Sequence, residues 1–561
     1  MRIRQISIKN FRSVKALDFA PNDLCVLIGQ NNAGKSTVLR ALNLALGDIW
    51  PTERQFSDED FYNRDLNCTI EITVYFDETT TVWRNKKQCE VAGLRLSCKT
   101  YKKKTGRKLA GDLNVDYVCI DKNGNIVTYP DEPLQKGVKP SCAWLPLRVT
   151  SDLRDNVAFI YVDVQRDYRR HSASNRWTVL RRLFKDVQTK LTASKERISD
   201  IDERGGTEAV SRLDAYRRRL NRAFDALKSA DFEKVEVLLE KHALDMLGLD
   251  SAKDQVRLGF DPFDPENVFR ALQLYVREGS LETAAEDVGA GLQSAIVIAI
   301  FRTYQELQRE GAIFAIEEPE VFLHPHRARF FVATLRSLVA SGNQVFLSTH
   351  SPLFVPMDRY QDIAVIRKTL VEGTTVTQTG DLGIDPCNKD FLRLITEFDS
   401  QRSELFFASR VLLVEGYTER IVFPLVFKAL GIDVNRDAIS VVECQGKTKM
   451  PLFAKILSAL HIPFAIVHDD DTQDINPDWT ESRKENTRRH NTNHRRWNAQ
   501  IAEAVGDPSR VFVLSPTFES VCGLPSREES KLQQALELFS NMQKDAIPVE
   551  IRKPAERLLE L

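Results

Sequence analysis

"CVLIGQNNAGKSTVLRAL", residues 25–42, joins an apolar run to a glycine-bounded loop and then to a helical pattern. Gly29, Gly34, Lys35 and Ser36 fall in the spacing G-x-x-x-x-G-K-S without a gap. One chemistry requires all of these residue types. The glycines let backbone N–H groups turn inward around phosphates, the lysine reaches the terminal phosphates, and the hydroxyl that follows ligates magnesium. Asn32 within the loop and Thr37 at the helix start complete the expected nucleotide contacts. The order strand, phosphate loop, helix sets the fold class as α/β.

Two further apolar strands carry matching chemistry. "AIFAIEEPEVFLHP" (312–325) ends its strand on Glu317 and Glu318. The first carboxylate can hold magnesium through water, in place of the commoner aspartate, and the second can polarise an attacking water. "QVFLSTHSP" (344–352) ends near His350, expected to sense the terminal phosphate. Before both of these strands and after the phosphate loop, "DVGAGLQSAIVIAIF" (287–301) opens a long apolar helix on small residues, with Gly291 as the expected anion contact. Its place resembles the signature motif of ABC-type ATPases, although it departs from LSGGQ. The four motifs in this order resemble an ABC/SMC/RecF-type ATPase head. In that family ATP is sandwiched between two heads, which implies a dimer.

Bulk properties narrow the class. At 561 residues two or three domains are expected. The chain is 42% hydrophobic and 28% charged, as soluble globular proteins are. No apolar run reaches membrane length, and "MRIRQISIKNF" alternates like a first strand rather than a signal peptide. Nine cysteines without a CxxC pair argue against a disulfide framework or a cysteine-rich zinc site, and fit a reducing cytoplasm. No membrane partner is expected.

More than 250 residues separate the phosphate loop from the signature-like helix. "TIEITVYF" (69–76) places Ile70, Ile72, Val74 and Phe76 on one face of a half-buried strand. From 177 to 247 apolar residues recur at helical spacing, read as an inserted pair of helices for dimerisation or as a packed subdomain. Basic stretches at 101–108, read as a hairpin tip, and at 165–177 favour a phosphate-backbone partner. "QDIAVIRKTLVEGTTVTQTGDL" (361–382) reads as closing strands of the head.

A second site begins at "RVLLVEGYTERIVFPLVFKAL" (410–430). A strand ends at Glu415, and a helix follows with Glu419 in its first turn, so both can aim at one point. "FAIVHDDDTQ" (464–473) ends another strand on three aspartates, of which Asp469 and Asp471 share a face while Asp470 points away. Neither motif carries a paired lysine. Such hard oxygen donors suit magnesium or manganese. "ESRKENTRRHNTNHRRWNAQIAEAV" (481–505), with Arg488, Arg489, Arg495 and Arg496, offers positive charge beside them, or else is flexible surface.

Glu-Gly-x-x-Glu after one strand and Asp-x-Asp after another resemble the Toprim fold of topoisomerases, primases and some nucleases. An ABC-type head followed by Toprim resembles the OLD (overcoming lysogenization defect) family of ATP-dependent endonucleases, related to the nuclease subunit of the Gabija anti-phage system. The resemblance covers nearly the whole chain. It implies ATP, Mg2+ or Mn2+, DNA as substrate, a homodimer or higher homo-oligomer, a role in defence, and room for a helicase or other defence-system partner. It also implies two metals with a further carboxylate and a lysine from the C-terminal part. In "VFVLSPTFESVCGLP" (511–525) Glu519, and less strongly Ser515, take the ligand role, and Lys553 near the C-terminus takes the lysine's.

The expected division is 1–170 and 251–400 for the two parts of the ATPase head, 171–250 for the helical insert and 401–561 for Toprim. An SMC/RecF-like DNA-binding ATPase with an inactive Toprim domain is the alternative. A topoisomerase would need an attacking tyrosine on a separate domain, and a primase a second nucleotide site. Neither is visible.

Overall fold

The computed structural model describes residues 1–164 and 311–561, less 48, 86, 103–108, 131–143, 156, 322, 381–401 and 525–527. Within 165–310 it describes 190, 193–201, 206–225, 237, 274–278, 280–289, 291–293, 296–297, 299–300 and 303. The chain separates into two compact units, one of Met1–Val164 with Glu310–Leu561, the other of Gln165–Arg309.

Among the described residues the first unit holds two large sheets, besides a short pair of strands, Thr128–Pro130 with Trp144–Pro146. The larger uses β1 (Ile3–Phe11), β2 (Val14–Phe19), β3 (Leu24–Ile28), β4 (Ile70–Arg84), β5 (Lys87–Thr100), β6 (Leu113–Ile120), β7 (Phe159–Val162), β8 (Ile313–Glu317), β9 (Gln344–Ser348), β10 (Ile363–Thr369) and β11 (Gly373–Gln378). Its 11 strands run β6-β5-β4-β1-β2-β11-β10-β3-β9-β8-β7. The block β10-β3-β9-β8-β7 is parallel, and β3, β8 and β9 are buried at every position. That is why they read as unbroken apolar runs, since parallel strands have both faces covered. The β4 strand is antiparallel to β1 and β5 and buries Ile70, Ile72, Val74 and Phe76 as its alternation requires. Strands β5 and β6 form the expected hairpin; its basic tip at 103–108 lies outside the described residues.

The smaller sheet is parallel throughout. Its strands β12 (Arg410–Val414), β13 (Ile439–Glu443), β14 (Phe464–Asp469) and β15 (Val511–Leu514) run in the order β13-β12-β14-β15. The chain steps outward from β12 to β13 and returns to the other side of β12 with β14. The carboxyl ends of β12 and β14 therefore flank a topological switch point, where open α/β sheets leave a crevice. Leu412, Val414, Phe423, Phe427, Ala465, Val467, Ile551 and Leu558 share the core around it.

In the second unit, hairpins pair Arg197–Ile201 with Thr207–Ser211 and Tyr275–Glu278 with Leu281–Ala284. Helix Arg212–Asp225 follows the first hairpin, and Arg219 Nε lies 3.1 Å from Asp200. The basic stretch 165–177 and most of the expected helical insert lie outside the described residues. No helix among the described residues is long and apolar enough to cross a membrane.

Candidate functional sites

The phosphate loop follows β3. Gly29 has φ 143, and a Cβ there would stand 2.1 Å from the Ile366 carbonyl oxygen of β10. Gly34 has φ 112, and its Cβ would meet Thr374 Oγ1 at 2.5 Å. Both glycines are thus demanded by backbone conformation and by close approach of neighbouring strands. Helix α1 (Lys35–Leu46) starts on Gly34 with no side-chain cap and no acidic residue in its first turn. Its first N–H groups remain open to an anion.

Lys35 is buried, and Nζ donates to the carbonyls of Gly29 (2.9 Å) and Gln30 (2.8 Å). Burial lowers its pKa to about 8, with Glu318 and Glu320 opposing. Asn32 sits exposed in the loop at φ 63, and Ser36 is exposed beside it. Thr37 is turned inward, its Oγ1 3.5 Å from Ser13 Oγ, so it supports the loop from behind.

Neighbouring strand ends bring the acids alongside. Glu317, at the end of β8, is buried and accepts from Tyr161 Oη at 2.8 Å. Burial raises its pKa, and the Tyr161 bond opposes the rise. Glu318 has φ 41, a strained backbone for a residue with a side chain. Its Oε1 lies 3.6 Å from His350 Nε2 just past β9. The His350 pKa is lowered, first by burial and then by Lys35. Glu320, which sequence reading passed over, accepts from the His350 N–H at 2.6 Å and from Thr349 Oγ1 at 2.9 Å. Gly291 belongs to the second unit, in the first turn of helical residues 291–293. The preceding bend is tied by Gln293 Nε2 to the carbonyls of Glu286 (2.9 Å) and Val288 (3.1 Å).

The second site lies at the switch point. Glu415 follows β12, and Glu419 stands in the first turn of α3 (Tyr417–Ala429). The Glu419 carboxylate folds back over Gly416, where a Cβ would meet Oε2 at 3.1 Å. Asp469 ends β14; its N–H donates to Glu415 Oε2 (3.2 Å), and its Oδ1 accepts from the Phe518 N–H (2.7 Å). Burial pushes the Asp469 carboxyl up to about 7, reinforced by Glu419 and then Glu415. Glu419 and Glu415 are both raised, again chiefly by burial. Three carboxyls are thus gathered where none is easily ionised without added positive charge.

Asp471 stands apart from that trio. The alternation expected of an extended chain ends with β14, and Asp471 has φ 58. Its N–H donates to the Pro516 carbonyl (3.0 Å), and its Oδ2 lies 2.8 Å from Lys447 Nζ and 3.3 Å from His494 Nδ1. Neither motif carries this lysine: Lys447 reaches the turn from the loop after β13. Asp470 points elsewhere, accepting from Thr472 Oγ1 (2.7 Å) and Asn498 Nδ2 (3.2 Å).

The basic segment 481–505 is one 25-residue helix, α5 (Glu481–Val505). One face holds the acidic turn through His490, Asn491, His494 and Asn498, with His490 Nε2 2.9 Å from the Asp471 carbonyl oxygen and Asn491 Nδ2 donating to the Gln473 carbonyl (2.8 Å). Arg489, Arg495 and Arg496 are exposed, and Arg488 pairs with Glu485 at 3.5 Å. Glu519 is paired with Lys531, a second lysine that sequence reading missed. Ser515 is exposed at the end of β15. Lys553 is exposed on helix Val549–Glu560, whose buried side carries Ile551, Pro554, Ala555 and Leu558. Its side chain makes no hydrogen bond or ion pair among the described residues.

Among the described residues no group of three His, Cys, Asp or Glu side chains is drawn together closely enough to hold a metal as it stands. The donor chemistry nonetheless fits a divalent cation. Glu415, Glu419 and Asp469 are all-oxygen donors, mutually repelling and pushed toward protonation, and a hard cation relieves that condition.

A phosphate-loop ATPase and a Toprim domain in one chain define the class. A family profile described as AAA ATPase domain matches residues 1–355. Another, described as the TOPRIM domain of overcoming lysogenization defect protein-like proteins, matches residues 406–471. An OLD nuclease of Thermus scotoductus is 30% identical over 99% of this chain and 98% of its own length. The Old nuclease of Escherichia phage P2 is 24% identical, over 84% of this chain and 77% of its own. Endonuclease GajA of Bacillus cereus is 22% identical, over 84% and 75% respectively. The chain belongs to the OLD family of nucleases, which join an ATPase to a Toprim domain.

Proposed function

We propose that this protein is a metal-dependent DNA endonuclease that hydrolyses phosphodiesters at the Toprim site and binds and hydrolyses ATP at the Lys35 site. The observation that carries the reading is that Glu415, Glu419 and Asp469 all stand at the carboxyl ends of β12 and β14, with the Asp469 N–H bonded to Glu415 Oε2 at 3.2 Å. These three would hold Mg2+ or Mn2+, with Asp471, Glu519 and Ser515 at the rim. Bound divalent cations supply an activated water and stabilise the leaving oxygen. The chain's own residues fix the donors: the Phe518 N–H orients Asp469, and the Asp469 N–H orients Glu415. The exposed arginines of α5 offer a phosphate-binding face on the helix that grips the acidic turn.

In the ATPase half, Lys35 would take the phosphates, Ser36 and Glu317 would hold their metal, and Glu318 with His350 would orient the attacking water. Gly291 completes this site from a second copy, which makes the working form a homodimer or larger. Its cysteines, free wherever described, suit a cytoplasmic role, and defence against phage or other foreign DNA is the setting we infer. Supercoiled plasmid incubated with Mg2+ or Mn2+ should be nicked or linearised by the wild type, and chelation should stop cutting. Asp469→Asn should cut at least about 100-fold more slowly, beyond what loss of a supporting residue costs. Intact plasmid under every metal condition would favour a DNA-clamping ATPase instead.

A further inference from the structure

The acidic turn is gripped by a lysine that the cleavage scheme above leaves unused. Lys447 follows a reversal at Gln445 (φ 53) and Gly446 (φ 109), where the Gly446 N–H donates to the Glu415 carbonyl oxygen at 3.0 Å. The residue is 3% exposed. Its Nζ donates to the carbonyls of Asp469 (2.7 Å) and Asp470 (3.3 Å) and to Asn498 Oδ1 (3.3 Å), besides pairing with Asp471 Oδ2 at 2.8 Å. One short loop therefore touches both carboxylate motifs, Glu415 through the Gly446 N–H and the 469–471 turn through the Lys447 side chain.

Burying an ammonium is costly unless its protons are all engaged. Here four acceptors surround three protons. The turn needs such a tie, because Asp471 holds a left-handed conformation and stands near carboxylates of like charge.

We propose that Lys447 is a positioning residue of the cleavage site, fixing the 469–471 turn so that Asp469 faces Glu415 and Glu419 while Asp471 is held by the ammonium. Its consequence for cutting rests on the nuclease reading; its consequence for metal binding does not. The two effects of removing it differ in sign. Loss of a positive charge alone would tighten a divalent cation, whereas loss of the turn's shape loosens it.

The test is Mn2+ titration of the full chain by calorimetry, with cleavage kinetics in parallel, for wild type, Lys447→Met, Lys447→Gln and Lys447→Arg. Lys447→Met should weaken Mn2+ binding about 10- to 100-fold, the usual cost of losing an outer-shell partner. It should lower kcat for cleavage and leave KM for DNA unchanged. Lys447→Arg should recover part of both losses. Lys447→Gln keeps a donor in the pocket and decides the matter if the methionine variant does not fold. Unchanged or tighter Mn2+ binding in the neutral variants overturns the assignment. If wild type binds Mn2+, the neutral variants bind it less well and nothing cuts DNA, the assignment stands and the nuclease reading falls. If wild type does not bind Mn2+, both fall.

Discussion

At the scale of the residue, Asp469 concentrates the chemistry. Its pKa is raised from 3.8 to about 7, so in metal-free protein the fold holds a proton that the unfolded chain releases near pH 4. Stability from this group is therefore lost as pH rises between those values. Metal-free protein should melt at a higher temperature at pH 5.5 than at pH 8, Asp469→Asn should flatten that difference, and Mg2+ should restore the melting point at pH 8. A scan in which Asp469→Asn keeps the full wild-type pH dependence would contradict this. In the other half, Glu318→Gln should lower ATP turnover by about 100-fold or more, the scale of a lost general base, with nucleotide still bound. Glu317, Glu318, Glu415 and Asp469 were legible from their places at strand ends, and Glu419 from the first turn of the helix that follows; Glu320 was not. Lys447, Lys531 and Tyr161 were not, because each reaches its acid from an element whose neighbours only the folded topology defines. Lys553, placed by resemblance, is exposed, and its side chain makes no hydrogen bond or ion pair among the described residues.

At the scale of the element, apolar runs and punctuation made most of the fold readable. The buried strands β3, β8 and β9 were visible as unbroken apolar runs, and β4 by its alternation. Strand order was not, since the adjacency of β3 and β9 depends on pairings across most of the head, as between Leu24 and Val345. The polar composition of 481–505 hid a long helix, because it faces the acidic turn through His490, Asn491, His494 and Asn498 and buries only Ile501 and Val505 as large apolar side chains. The phosphate loop offers a direct check at this scale. Gly29→Ala would put a Cβ against the Ile366 carbonyl oxygen, part of a strand backbone that cannot swing aside. Strained φ alone costs about 1–3 kcal/mol, so denaturant unfolding should show at least that loss, together with loss of ATP binding. Wild-type stability would mean that β3 and β10 are not packed as described.

At the scale of the whole molecule, two reaction centres share one unit. The phosphate loop meets the start of the Toprim domain directly: Gln30 Nε2 donates to Ser409 Oγ, one residue before β12, the strand that ends at Glu415. A cleft of about 400 Å³ beside that contact is lined by Gly29, Ala33, Arg367, Phe406 and Arg410 among others. The central claim is that the two centres carry separate chemistries, ATP hydrolysis at one and phosphodiester hydrolysis at the other. The most direct measurement scores ATP turnover and plasmid cleavage side by side for wild type, Asp469→Asn and Glu318→Gln in Mg2+ or Mn2+. The account predicts that Asp469→Asn loses cleavage and keeps ATP turnover, while Glu318→Gln loses ATP turnover. Cleavage that survives in Asp469→Asn at the wild-type rate would contradict it.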